Sequence, residues 1–164
     1  NRAVPAALAR LPAAERPRVR HQAGERSLAT AQECYRAGGV DAELLPFIED
    51  MAAAYAWADL VVCRAGALTV AELSAAGLPA IFIPYPLAVD DHQTANATPL
   101  VEAGAAAMIM ERELSDVSLA ALLKDWLADR RALQARAGKA RELAMPEALG
   151  RITDLCLEVA GAAT

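Results

Sequence analysis

Two hydrophobic patterns alternate along the first two-thirds of the chain. Short runs such as Leu60–Val62 and Ile81–Ile83 are apolar at every position. Strands that are covered by helices on both faces have this pattern. Between these runs lie segments of helical periodicity that begin near Ser, Asp or Pro and end at Gly. The alternation predicts βαβ units with right-handed crossovers, and therefore an α/β fold with a doubly wound, Rossmann-like parallel sheet.

The segmentation predicts one domain over residues 1–164, in which a sheet is followed by extra C-terminal helices. Strands are predicted in "RVRHQAG", "AELLPFI", "DLVVC", "PAIFIP" and "AAAMIM". Helices are predicted in "VPAALARL", "SLATAQECYRAGG", "DMAAAYAWA", "ALTVAELSAAG" and "TANATPLVEAG". Three more follow in "SDVSLAALLKDWLAD", "RRALQARAGKARELA" and "PEALGRITDLCLEVAG". The expected helix N-caps are Ser27, Asp50 and Ser115.

Composition narrows the classes of protein that this chain can belong to. Of its 164 residues, 55% are hydrophobic and 23% are charged, which excludes general disorder. The net charge of −5 and an aromatic content of 4% argue against a nucleic acid partner. No Cys or His pair has metal-ligand spacing, so no metal and no cofactor is predicted. The chain begins with Asn1 rather than Met, so we expect it to be a fragment.

The stretch "CRAGALTVAE" indicates a binding site for an anion. Gly66 permits a tight turn between a strand and a helix. The backbone amides of Ala67, Leu68 and Thr69 are then free first-turn donors at the positive end of the helix dipole. Such a helix start suits a diphosphate, and Arg64 can add a charged donor. By itself, however, an arginine such as Arg64 is more often a solvated surface charge.

Glu72, one turn into this helix, has two interpretations that spacing leaves open. It can cap backbone amides of its own helix. It can also accept hydrogen bonds from the two hydroxyls of a ribose, as acidic residues do in dinucleotide-binding folds. The stretch contains neither GxGxxG nor GK[ST], so it supports neither a classical dinucleotide fingerprint nor a P-loop.

A second polar stretch, "PYPLAVDDHQTANA", follows the next strand. Asp90 and Asp91 suit a helix start. His92 and Gln93 fall in the first turn, where they can bond sugar hydroxyls. No nucleophile has a base nearby, so no catalytic residue is assigned to this chain.

The segment "FIEDMAAAYAWADLVVCRAGALTVAELSAAGLPAIFIPYPLAVDDHQTANA" closely resembles the bacterial MurG family. The "GALTVAE" and "DDHQ..NA" stretches are specific in combination. The resemblance implies a GT-B architecture of two Rossmann-like domains, of which this chain is the C-terminal, donor-binding one. It also implies that a first strand, a "GGS.GA" phosphate loop and an N-terminal acceptor domain lie outside the chain.

The resemblance further implies an N-acetylglucosaminyltransferase of peptidoglycan synthesis. Its members transfer GlcNAc from UDP-GlcNAc, with inversion, to a lipid-linked muramyl-pentapeptide. The general base and the membrane contact are expected in the absent domain. The isolated chain is therefore expected to be inactive, and the full-length protein to be cytoplasmic and peripheral on the inner face of the membrane.

Individual roles follow from the same resemblance. The backbone of Ile48 matches the position that bonds the uracil edge. Glu72 matches the ribose carboxylate, and Gln93 with His92 matches the pair that reads sugar hydroxyls. The helix start matches the residues under the diphosphate, with Arg64 near the phosphates. The substrate-binding set is Ile48, Arg64, Gly66, Ala67, Leu68, Thr69, Val70, Ala71, Glu72, His92 and Gln93.

Two rival functions remain open on the sequence. One is another GT-B enzyme that uses a different UDP-sugar. The other is a non-catalytic UDP-sugar-binding module that docks to a separate acceptor subunit.

Overall fold

The computed structural model of the chain describes residues 1–86 and 91–162. Strands and helices alternate up to the fifth strand, and three helices follow in series, as the hydrophobic pattern predicts. The elements are α1 (Ala3–Ala9), β1 (Arg20–Gln22), α2 (Leu28–Ala37), β2 (Glu43–Leu45), α3 (Met51–Trp57), β3 (Val61–Cys63), α4 (Ala67–Ala76), β4 (Ala80–Phe82), α5 (His92–Glu102), β5 (Ala106–Met108), α6 (Asp116–Ala128), α7 (Arg130–Glu142) and α8 (Ala148–Ala162).

The predicted parallel α/β fold is confirmed, with its strands in two hydrogen-bonded ladders rather than one. β1 pairs in parallel with β2, with His21 opposite Leu44. β3, β4 and β5 form the second ladder in that order, and all of its pairs are parallel. Because the strands of each ladder run in the same direction, their carboxyl ends lie at one edge.

β4 is buried along its full length at the centre of the three-stranded ladder. Successive side chains of a strand point to opposite faces of the sheet. Ile81 accordingly packs in one core cluster with Leu119 of α6. Phe82 packs in another, with Leu73 of α4 and Leu100 of α5. Helices therefore cover both faces of this sheet, which is the doubly wound arrangement.

β3 differs from β4 in burial. All three residues of Val61–Cys63 are half-buried, although the sequence pattern predicts full coverage. β3 is the outer strand of its ladder and has a paired neighbour on one side, and this explains the greater exposure.

Side-chain caps fix the start of three helices. The Asp50 carboxylate accepts the Ala53 N–H at 2.8 Å, and Ser115 forms a capping box with Ser118 at the start of α6. Asp129 caps α7. The prediction for Ser27 is wrong, because a 3-10 turn precedes α2 and the Ser27 side chain bonds no helix amide.

The last helix, α8, carries a row of exposed apolar side chains. Leu149, Ile152, Leu155, Leu157 and Val159 are each 59% exposed or more. No helix in the described residues is both long enough and apolar enough to cross a membrane.

Candidate nucleotide-sugar site

The centre of the site is the turn between β3 and α4. Gly66 is the N-cap of α4 in an extended conformation, with φ −64° and ψ 145°. It has no side chain to offer as a cap. Within residues 1–86 and 91–162, the first-turn amides of Ala67, Leu68 and Thr69 have no acceptor. This ten-residue helix therefore begins with free donors at the carboxyl edge of the sheet, where an anion is bound most favourably.

Glu72 lies exposed on the next turn of α4. Its Oε2 accepts a hydrogen bond of 2.8 Å from the hydroxyl of Tyr55 on α3. In the described part of the chain it bonds no backbone amide, so the helix-cap interpretation of Glu72 is wrong. Glu72 lies on the second turn of α4, directly after the open first turn. Of the two preceding residues, Val70 is buried and Ala71 is exposed.

Gln93 and Asn96, on the first turns of α5, hold this turn in place. The Gln93 Oε1 accepts the Ala65 N–H at 3.2 Å and the Tyr85 N–H at 2.9 Å. The Asn96 amide donates to the Ala65 carbonyl at 3.1 Å. Both polar groups of a fully buried backbone residue are thereby satisfied by one helix. In the described part of the chain, the hydrogen bonds of Gln93 to this turn use its side-chain oxygen. A bond from its amino group to a sugar hydroxyl stays a prediction.

The role of Asn96 is absent from the sequence-based assignment. The signal for it exists in the spacing, because residues three apart share a helix face. The "DDHQ..NA" stretch thus carries a pair of amides that faces one turn. His92, at the start of α5, is exposed. Its contact with a sugar hydroxyl stays a prediction.

Of the two aspartates expected at the start of α5, only Asp91 lies in the described part of the chain. Asp90 lies outside the described residues. Asp91 has a left-handed backbone with φ 54°, and its carboxylate accepts the Thr94 hydroxyl at 2.7 Å. It forms no cap bond to an amide of α5. Capping by Asp91 is therefore wrong as an explanation of this residue.

Arg64 is engaged by groups of the protein itself. One terminal nitrogen donates to the carbonyls of Ile83 and Pro84, at 3.1 and 3.0 Å, and to the Glu111 carboxylate at 2.6 Å. Its guanidinium also lies 5.4 Å from the ring centre of Tyr85. Arg64 therefore ties together the ends of β3, β4 and the segment after β5, rather than being a free surface charge. A contact with phosphate stays a prediction.

Ile48, whose backbone is predicted to bond a uracil edge, lies in the turn between β2 and α3. The Ile48 N–H donates to the side-chain oxygen of Gln22 at 2.9 Å. Gln22 ends β1, and Ile48 precedes α3, so this bond joins two chain turns at the edge of the two-stranded ladder. The sequence did not indicate Gln22. A base that uses the Ile48 N–H must replace this oxygen.

His21, the neighbour of Gln22 in β1, has both ring nitrogens engaged. Nδ1 is 3.0 Å from the Tyr35 hydroxyl, and Nε2 is 3.0 Å from the Asn1 side-chain oxygen. Burial lowers the pKa of His21. Burial raises the pKa of Tyr35 to about 12. His21 is therefore a neutral member of a hydrogen-bonded cluster at neutral pH.

Two further observations concern chemistry within the site. Among the described residues there is no group of three or more His, Cys, Asp and Glu side chains placed to hold a metal ion. Burial raises the pKa of the Cys63 thiol to about 12. This cysteine, at the end of β3, is therefore a poor nucleophile at neutral pH.

Comparison with known families adds to this geometry. A family model described as "Glycosyltransferase family 28 C-terminal domain" matches residues 1–152. The chain belongs to this family. The matched region includes the open helix start at residue 67 and the two side-chain amides at residues 93 and 96.

Close relatives of this family 28 domain carry one name. A protein of Alkalilimnicola ehrlichii is 58% identical over 160 residues, which are 98% of this chain and 45% of the relative. One of Marinobacter nauticus is 53% identical over 160 residues, or 98% of this chain and 44% of the relative. Both are named UDP-N-acetylglucosamine--N-acetylmuramyl-(pentapeptide) pyrophosphoryl-undecaprenol N-acetylglucosamine transferase. The chain spans about half the length of these curated relatives.

Solved structures agree with this family assignment. MurG of Acinetobacter baumannii is 41% identical and superposes with a TM-score of 0.87, over 94% of this chain and 46% of that one. The glycosyltransferase VinC, solved in complex with DTDP, is 17% identical with a TM-score of 0.62, over 93% of this chain and 36% of that one. The second likeness supports the fold alone.

Proposed function

We propose that this chain is the donor-binding half of an inverting N-acetylglucosaminyltransferase. The full-length protein transfers GlcNAc from UDP-GlcNAc to the 4-hydroxyl of a lipid-linked muramyl-pentapeptide. The observation that carries the proposal is the uncapped start of α4, with Glu72 exposed one turn behind it. The names of relatives that are more than 50% identical over 98% of the chain supply the substrates.

The chemistry of this half is electrostatic. The diphosphate lies at the first turn of α4, where the amides of Ala67, Leu68 and Thr69 stabilise the charge that develops on the departing UDP. Glu72 accepts the ribose hydroxyls, and Ile48 bonds the uracil edge. Gln93 and His92 donate to hydroxyls of the sugar. The general base that activates the acceptor hydroxyl comes from the other domain.

The two ladders support the further proposal that one strand belongs between them. A doubly wound sheet of this class has the strand order 3-2-1-4-5-6. In this order β2 and β1 correspond to strands 3 and 2, and β3, β4 and β5 correspond to strands 4, 5 and 6. The place of strand 1, between the two ladders, is then the one left for another strand. Val19 and Leu44 share a core cluster with Val62 and Ile81, so both ladders cover one core. A preceding strand and its phosphate loop fill the remaining place.

The same proposal extends to location and partners. The acceptor and the membrane surface contact the second domain, so the protein is cytoplasmic and peripheral on the inner face of the membrane. It needs no metal or other cofactor, because helix amides and hydrogen-bond donors stabilise the leaving group.

Donor titration of the full-length protein tests the proposal. UDP, UDP-GlcNAc and UDP-GalNAc are compared by calorimetry, with Glu72→Ala as the matched variant. We expect a preference for UDP-GlcNAc, and a loss of about 10- to 100-fold in affinity on Glu72→Ala, because a carboxylate that accepts two hydroxyls is removed. Transfer to the lipid-linked acceptor is then assayed.

Other outcomes separate the rival functions. Equal binding of the two UDP-sugars retains the GT-B fold and rejects the GlcNAc assignment. Preferential donor binding without any transfer by the full-length protein supports the non-catalytic module. Failure of the folded protein to bind UDP overturns the proposal.

A further inference from the structure

Tyr55 is the residue that contacts Glu72 from outside its own helix. Its hydroxyl donates to Glu72 Oε2 at 2.8 Å, across the contact between α3 and α4. In the described part of the chain, no other hydrogen bond or ion pair to the Glu72 carboxylate is formed. The exposed carboxylate would otherwise turn freely about its side-chain torsions.

The position of Tyr55 is itself fixed. Its ring packs half-buried against the core cluster that contains Val70 and Leu73 of α4. Its helix is anchored at the other end by the Asp50 cap, two residues after Ile48. Burial, followed by the bond to Glu72, raises the pKa of Tyr55, so the hydroxyl remains a donor well above neutral pH. One seven-residue helix thus connects the base end of the site with its ribose end.

We propose that Tyr55 is a positioning residue that holds the Glu72 carboxylate in the orientation that accepts the ribose hydroxyls. Tyr55 occupies a lone pair of Oε2, which leaves the remaining lone pairs of the carboxylate for the ligand. Because the side chain is ordered before the ligand arrives, less conformational entropy is lost on binding. The inference rests on the proposed function, since it takes Glu72 as the ribose acceptor.

A purely architectural role is the alternative, in which the bond simply joins α3 to α4. The two roles differ in their dependence on the ligand. A tie between helices affects every ligand of the site equally, whereas a positioning residue affects only ligands with ribose hydroxyls. The discriminating pair of ligands is therefore UDP and 2′,3′-dideoxy-UDP.

The test measures both affinities by calorimetry in the full-length protein, with Tyr55→Phe as the variant. We expect Tyr55→Phe to weaken UDP binding about 3- to 10-fold, which corresponds to the loss of one charge-assisted hydrogen bond that orders a partly exposed group. Binding of the dideoxy ligand should change less than about twofold. Phe keeps the ring in the core cluster, and thermal unfolding verifies that the variant is folded.

A double-mutant cycle provides the second readout. In the Glu72→Ala background, Tyr55→Phe should have no further effect on UDP affinity, because Tyr55 acts through the carboxylate. Equal weakening of both ligands, no weakening of UDP, or additive effects in the cycle would each overturn the inference. Failure of the proposed ribose role is visible separately, as a wild-type protein that binds UDP and the dideoxy ligand equally.

Discussion

The start of α4 has no side-chain cap, whereas the starts of α6 and α7 are both capped by side chains. α6 begins at a reciprocal capping box of Ser115 and Ser118. α7 begins at Asp129, whose carboxylate accepts the N–H groups of Arg131 and Ala132. α4 begins at a glycine without a side-chain cap. Two helix starts are therefore completed by the chain itself, and the third is left incomplete at the edge where ligands bind in this class of fold.

α2 and α5 also start without a side-chain cap, so a missing cap alone does not mark a binding site. At α4 the open start coincides with the exposed carboxylate of Glu72 on the next turn. A capped helix gains about 1 kcal/mol from its cap. An uncapped start forgoes that gain and keeps a partial positive charge available. The turn before α4 is held instead by Gln93 and Asn96, which bond the backbone of Ala65 and leave the helix amides open.

The largest expected change in UDP affinity comes from adding an N-cap side chain to α4. Gly66 has a negative φ, and a Cβ placed there meets only the Thr69 Oγ1 at 3.7 Å, so a side chain fits. Gly66→Asp should weaken UDP binding about 100-fold, because its carboxylate takes the amides and repels the diphosphate. The unfolding free energy should stay equal or rise by a few tenths of a kcal/mol. Calorimetry and urea denaturation of the full-length protein measure the two quantities.

Gly66→Asn is the matched control, because it caps the helix without adding a charge. It should reduce affinity less than Gly66→Asp. Unchanged UDP affinity in both variants would show that the diphosphate does not lie on this helix start.

Loss of the Asn96 amide should affect both fold and binding. Asn96→Ala leaves the buried Ala65 carbonyl without its donor, so the unfolding free energy should fall by about 1–3 kcal/mol. UDP affinity should fall several-fold as the turn loosens. Thr98→Val, which removes a local bond on the same helix α5, is the control and should leave UDP affinity unchanged. A stable Asn96→Ala variant with wild-type affinity would contradict the holding role.

Removal of the side-chain cap of α7 should lower stability without changing UDP affinity. Asp129→Ala deletes the acceptor of two N–H bonds and should lower the unfolding free energy by about 1 kcal/mol. UDP affinity should not change, because α7 starts outside the site. A loss of affinity comparable with that of Gly66→Asp would break the distinction between the two kinds of helix start.

The smallest effect concerns pH and the cluster around His21. Its folded-state pKa lies below the unfolded value, so protonation favours the unfolded state. The contribution of His21 to stability should be constant above the unfolded pKa of about 6.5 and should decline as pH falls from there through the folded value. Thermal unfolding at a series of pH values, with His21→Gln for comparison, checks this. A pH dependence that is identical in the variant would assign the decline to other groups.

The sequence predicted the order and type of the elements well. Periodicity and Gly or Pro boundaries are local properties, so β4, α4 and the Gly77 stop are visible in the sequence. The strands were predicted too long by up to four residues, because apolar character continues beyond the hydrogen-bonded ladder. Burial of β3 was overestimated, since the lateral position of a strand is a property of the whole sheet.

The site was predictable in part for a related reason. The open helix start follows from Gly66 and the small residues around it, which are neighbours in sequence. Tyr55, Gln22 and Asn96 act across separations of 17, 26 and 31 residues. Such pairings depend on how two segments pack, and a single sequence does not specify them.

The bond between Gln22 and Ile48 bears on how a base is selected. A carboxamide oxygen already occupies the N–H that the uracil edge is proposed to use. Uracil entry is then an exchange of one carbonyl acceptor for another, with little net gain in hydrogen bonding. Cytosine presents an amino group at the corresponding ring position and would leave the N–H without an acceptor. Gln22 therefore contributes to selectivity more than to affinity. A base with a carbonyl at this position replaces the Gln22 oxygen at little net gain, whereas a base with an amino group there is disfavoured.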